Sequence, residues 1–129
     1  MLSASPIFQA ATYGEVESAR ALLKQGANPN EKDESGRTAL HWACQEGRIK
    51  IIRLLIKFGA QVDATDNLGF TPLATAAGEG NCKMVKELLK AGADANLRVH
   101  SDSNGTALHL ACAWDHLDVV KLLVHFFLS

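Results

Sequence analysis

Aromatic residues, proline and cysteine are all scarce in this 129-residue chain: eight, three and three. Cys44, Cys82 and Cys112 are an odd number without a spacing signature. That excludes a secreted disulfide framework and places the expected location in a reducing compartment, cytoplasmic or nuclear. No charge is in excess. Thirteen Lys+Arg stand against fourteen Asp+Glu, so no basic surplus exists to displace counterions from a phosphate backbone, and no nucleic acid is expected as partner. Long apolar runs are missing too. The most apolar stretch, Leu117 to Leu128, has 12 residues and is broken by Asp118, Lys121 and His125; a bilayer span takes about 20. The N-terminal segment has neither a basic region nor a long apolar core, so neither a secretory signal nor a membrane association is expected. The chain holds no G-x-S-x-G, no Walker loop, no H-E-x-x-H and no dinucleotide fingerprint. Without a convergent acid, base and nucleophile, no enzyme activity, cofactor or metal is expected.

What is abundant is alanine and leucine. Nineteen Ala and seventeen Leu make up over a quarter of the chain, and both favour helix. The length fits one domain. Internal repetition explains the bias. Gly36-Arg37-Thr38-Ala39-Leu40 returns as Gly69-Phe70-Thr71-Pro72-Leu73 at an offset of 33, and Thr106-Ala107-Leu108 follows at 35. A second marker, Leu22-Leu23-Lys24-Gln25-Gly26-Ala27, returns as Leu55-Ile56-Lys57-Phe58-Gly59-Ala60 and as Leu88-Leu89-Lys90-Ala91-Gly92-Ala93. Both markers keep phase.

Each unit reads as helix, turn, helix and polar finger. Ser5, Thr38, Thr71 and Thr106 stand where a hydroxyl can cap the first helix. Pro6 and Pro72 follow at N1, where a missing N–H costs nothing. Gly14, Gly47 and Gly80 suit the residue that ends it. The second helix carries an apolar stripe at i, i+1, i+4, i+5: Ile51, Ile52, Leu55 and Ile56, then Met84, Val85, Leu88 and Leu89, then Val119, Val120, Leu123 and Val124. Glu31–Gly36, Thr65–Gly69 and Leu97–Asn104 are turn-like fingers.

Thr38-Ala39-Leu40-His41-Trp42-Ala43 and Thr71-Pro72-Leu73-Ala74-Thr75-Ala76 resemble the T-P-L-H-x-A box of ankyrin repeats, and Gly92-Ala93-Asp94-Ala95-Asn96 resembles the G-A-D-x-N that closes one. The resemblance covers nearly all of the chain from Ser5 to Phe127. It implies an all-α solenoid of four stacked helix-turn-helix repeats, near 1–32, 33–65, 66–100 and 101–129, with projecting β-hairpin fingers and an incomplete last repeat. It implies a non-catalytic module that binds another protein or a peptide through fingers and first helices. His41 and His109 then fill the box position that ties one repeat to the next. Cys44 and Cys112 share a small, closely packed position with Ala11 and Ala77, which a buried thiol suits. Metal binding by His109 and Cys112, three apart on a helix, would need further ligands that are not evident.

Departures from the pattern point to function. Polar Gln9 and Glu17 mark the first repeat as a cap. The link Leu97–Gly105 is two residues longer than the period requires, and Asp115 replaces the helix-ending glycine. The end is apolar where a polar cap is usual. Three readings stay open there: a longer array, Phe126 and Phe127 folded back, or self-association through them. Along the expected concave stripe, Tyr13, Leu68, Phe70 and Trp114 are large apolar groups at slots the fold does not need filled. With Arg37, Glu46 and Glu79 they form the candidate partner-binding set, the two glutamates favouring basic contacts. The plainer reading has Phe70 and Trp114 covering neighbouring repeats. Trp42, inside the box, reads as packing. Ankyrin domains are also substrates of an asparaginyl hydroxylase. Leu89…Asp94-Ala95-Asn96 resembles its favoured context, which makes Asn96 a modification candidate beside a plain turn-forming role.

Overall fold

The computed structural model describes residues 5–96 and 106–128. The expected long link at Leu97–Gly105, with the finger Leu97–Asn104 inside it, lies outside them. Among the described residues eight helices run in pairs: α1 (Pro6–Tyr13) with α2 (Val16–Lys24), α3 (Ala39–Glu46) with α4 (Ile49–Lys57), α5 (Pro72–Glu79) with α6 (Cys82–Lys90), and α7 (Ala107–Ala113) with α8 (Leu117–Leu128). The odd-numbered helices stack on one another in one row and the even-numbered ones in a second.

Local chemistry sets the helix starts. Thr71 Oγ1 accepts from the Ala74 N–H at 3.1 Å. Thr38 pairs with its box histidine, the Thr38 N–H donating to His41 Nδ1 at 3.1 Å. Ser5 differs from expectation: its hydroxyl caps nothing, and Pro6 alone opens α1. Its φ of −56° departs from the −91° to −95° of Thr38, Thr71 and Thr106. Asp115 adopts the left-handed conformation of the glycines it replaces, with φ 59°, which a short polar side chain tolerates.

Packing sets the shape. The odd row meets through Ala10, Ala11, Ala43, Cys44, Ala76, Ala77 and Ala111, all almost fully buried. The even row meets through Ile51, Ile52, Leu55, Met84, Val85 and Leu88. Small side chains let the odd helices approach one another closely. Arg53 Nη2 meets Glu87 Oε1 at 2.7 Å across the outer row; exposed pairs of this kind add little.

The β-hairpin fingers implied by the resemblance are tight turns, and the described residues contain no strand. Each finger closes on one backbone pair, the Asp33 N–H donating to the Arg37 carbonyl at 2.9 Å and the Asp66 N–H to the Phe70 carbonyl at 3.0 Å, and an aspartate carboxylate takes the returning N–H groups. Asp33 Oδ1 accepts from the Ser35 and Arg37 N–H groups, both at 2.9 Å. Asp66 Oδ1 does the same for Leu68 and Phe70. Adjacent fingers stack by hydrogen bonds from the Asn67 N–H to the Ser35 carbonyl and from Asn67 Nδ2 to the Glu34 carbonyl, both 2.9 Å.

The last pair departs from the inner pairs at three slots. Cys44 is buried, but Cys112 in the same slot is exposed. His41 is buried, but His109 is exposed. Along the second-helix stripe Val119 and Leu123 are buried, whereas Val124 is 41% exposed. In the inner pairs these slots are covered by the next pair, and among the described residues nothing follows α8. Phe126 is exposed as well, and Phe127 lies outside the described side chains.

Candidate functional site

A groove of about 770 Å3 runs along the fingers at 31–36 and 65–69 and the exposed sides of α3, α5 and α7. Five of the seven residues expected to bind a partner line it: Arg37, Leu68, Phe70, Glu79 and Trp114. Tyr13 lines a second hollow with Phe8, Gln9, Thr12, Asp33 and Trp42. Glu46 is exposed and lines neither. A stacked pair stands between the two hollows. The Arg37 guanidinium lies 4.2 Å from the centre of the Trp42 ring, and Arg37 faces one hollow and Trp42 the other.

Arg37 is largely consumed by the protein itself. Nη1 donates to Gln45 Oε1 at 2.6 Å, while Nε is buried without an acceptor. Trp42 has the packing role expected of it, its Nε1 donating to Asp33 Oδ2 at 2.9 Å. The guanidinium is thus held as part of the groove wall. Its stacking and its hydrogen bond both depend on planarity.

Phe70 and Leu68 are positioned by a buried histidine. His41 Nε2 donates to the Phe70 carbonyl at 2.8 Å while Nδ1 accepts from the Thr38 N–H. This assigns the neutral ring with its proton on Nε2. Burial holds the His41 pKa below its ordinary 6.5; the Phe70 carbonyl opposes this shift, Arg37 and Lys32 add to it and Asp66 opposes it. The sign for stability follows. Above pH 6.5 the ring is neutral folded or unfolded, and the fold has its full stability. Below 6.5 the unfolded chain takes up the proton first, and stability falls. Urea midpoints measured from pH 7.5 down to about 5 should therefore decline, and His41→Asn should flatten that decline. An unchanged slope in the variant would assign it elsewhere.

Trp114 is presented by the chain around it. It follows α7, is 67% exposed, and is succeeded by the left-handed Asp115. His116 then reaches back, its Nε2 lying 2.8 Å from the Gly78 carbonyl. Arg48 makes the same reach earlier in the stack, donating from Nε to the Thr12 carbonyl at 3.0 Å. Asp66, Ala74, Thr75 and Leu110 also line the groove and were missed in the sequence. Leu110 and Thr75 share one slot of the period, which was the available signal.

Compared with known families, the chain matches the model described as ankyrin repeats, three copies, over residues 7–99 and again over 65–127. The chain belongs to the ankyrin repeat family. No curated protein matches it. Ankyrin repeats are in general protein–protein interaction modules and are typically non-catalytic. Several features of this ankyrin chain are staples between repeats. Asn30 Oδ1 accepts from the Gln61 N–H at 2.7 Å, and Asp63 Oδ1 from the Asp94 N–H at 3.0 Å. Asn96 occupies the same slot, is exposed, and has its N–H bonded to Asp94 Oδ1 at 2.9 Å. Cys44 is buried inside the ankyrin stack, and burial pushes its thiol pKa well up, so it is an inert packing group. Among the described residues no three His, Cys, Asp or Glu side chains gather as a metal would need, and no helix is long and apolar enough to cross a membrane.

Proposed function

We propose that this ankyrin chain is a non-catalytic adaptor that holds a protein or peptide in the groove of the fingers at 31–36 and 65–69. One observation carries the reading. Trp114 and Leu68, 67% and 64% exposed, stand at the same groove although nothing in the fold needs them there. Large apolar groups on a rigid scaffold are what a partner's hot spot requires, because little conformational entropy is lost on binding. The four-repeat division near 1–32, 33–65, 66–100 and 101–129 belongs to this reading, as does a cytoplasmic or nuclear setting suited to free thiols.

Trp114→Ala should leave thermal stability nearly unchanged, within about 0.5 kcal/mol, since the side chain is exposed. It should weaken partner binding at least about tenfold. Thermal melts of the wild type and the variant measure the first, and a lysate pull-down followed by titration of the captured protein measures the second. Unchanged affinity would remove the groove from consideration. Asn96 is our candidate for hydroxylation; a finger peptide that gains no oxygen on exposure to such an enzyme would end that idea.

A second reading rests on the open face of α7 and α8. Leu108 and Val120 are only partly buried, and Cys112 and Val124 are exposed, in slots that the inner pairs cover. We infer that this face, with Phe126 and Phe127, supports self-association. Light scattering over a concentration series decides it: a rising mass supports assembly, a constant one the groove adaptor alone.

A further inference from the structure

Gly78 is the wrong residue for a helix. It lies within α5, where glycine is less favourable than alanine because it loses more backbone freedom. A Cβ placed on it would meet nothing within 4 Å, so packing does not exclude alanine. The same slot of the other first helices holds Thr12, Gln45 and Ala113. Nor is the segment loose, since the Gly78 carbonyl is bonded to His116 of the next pair. The effect is a fixed notch in the groove wall that Phe70, Leu110 and Trp114 also line. Glycine without a conformational reason is used where a ligand must approach the backbone closely.

The charge around the notch is one-sided. Glu34, Asp66 and Glu79 line the groove against a single cation, Arg37, which is already turned to Gln45 and Trp42. Glu34 and Glu79 are exposed, and neither enters an ion pair among the described residues. Carboxylates beside an apolar floor favour a partner of opposite charge and steer its approach.

We propose that the groove takes an extended basic segment of a partner, with a large apolar side chain seated over Gly78 and a neighbouring lysine or arginine facing the groove's carboxylates. The proposal rests on the groove reading above and adds the partner's chemistry. Its test separates the two. A random 12-mer display library is panned against the whole chain, and the enriched peptides are synthesised and titrated by fluorescence polarisation at low and high salt. The expected consensus is an aromatic or leucine beside Lys or Arg, with affinity falling as salt rises. Gly78→Ala should raise the melting temperature yet weaken these peptides about tenfold, the usual effect of one methyl group at a filled site. Glu79→Lys should weaken them too, and exchanging the peptide's basic residue for glutamate should restore affinity to that variant. An acidic or uncharged consensus, no enriched peptide, or unchanged affinity in Gly78→Ala overturns the proposal. If such peptides still lose affinity in Trp114→Ala, the groove reading survives it; if Trp114→Ala has no effect, both fall.

Discussion

Replacing His41 with alanine should destabilise the protein by about 3 kcal/mol, the sum of a cavity and stranded polar groups. The ring is fully buried. Its removal leaves the Phe70 carbonyl and the Thr38 N–H without their partners. It also releases the finger that carries Leu68 and Phe70, so the groove should lose order along with stability. His109→Ala is the internal control. It removes the same residue type from the same slot, but His109 is exposed and, among the described residues, bonds only Thr106 of its own helix start. Its cost should be about 1 kcal/mol, that of a helix cap. Urea denaturation of both variants at neutral pH measures the difference. Equal losses would mean that the link from His41 to the next repeat contributes nothing.

Gly36→Ala should cost about 3 kcal/mol as well, and for a reason of a different kind. Gly36 has φ 77° within the finger turn closed by Asp33. A Cβ there would run into the Asn67 side-chain oxygen and sit 2.8 Å from the Asn67 backbone nitrogen. Asn67 cannot withdraw without giving up its bonds to Ser35 and Glu34. Gly59→Ala isolates the backbone contribution: φ is 94°, but a Cβ meets nothing within 4 Å. That variant should lose only about 1 kcal/mol. If the two glycines cost the same, finger stacking is not what constrains Gly36.

Much of the site was legible because it repeats. Arg37 and Phe70 occupy one slot of the period, and Gly78, Glu79 and Trp114 fall at or beside another. Once the phase was known, these residues had to face one way. Tyr13 has the same phase but lines a different hollow. The stacked Arg37 and Trp42 divide the surface there, and a contact between residues five apart on a finger and a helix leaves no mark in the period. The bridge from His116 to Gly78 was equally hidden. Its counterparts at that slot are Arg48 and Asn81, three side chains of unlike chemistry; Asn81 caps its own helix instead, accepting from the Met84 N–H.

By itself, then, the sequence determined most of what depends on near neighbours in the chain, the uncapped Ser5 being an exception. Caps at Thr38 and Thr71, helix ends at glycine and the apolar stripes all follow from hydrogen bonds and spacing within a unit. The tertiary structure alone decided which of two equivalent side chains is inside. Cys44 and Cys112, or His41 and His109, have the same local surroundings and opposite exposure. The difference is the pair of helices stacked on one and not on the other. Burial in a stack is conferred by the next unit, and no period read within a unit contains it.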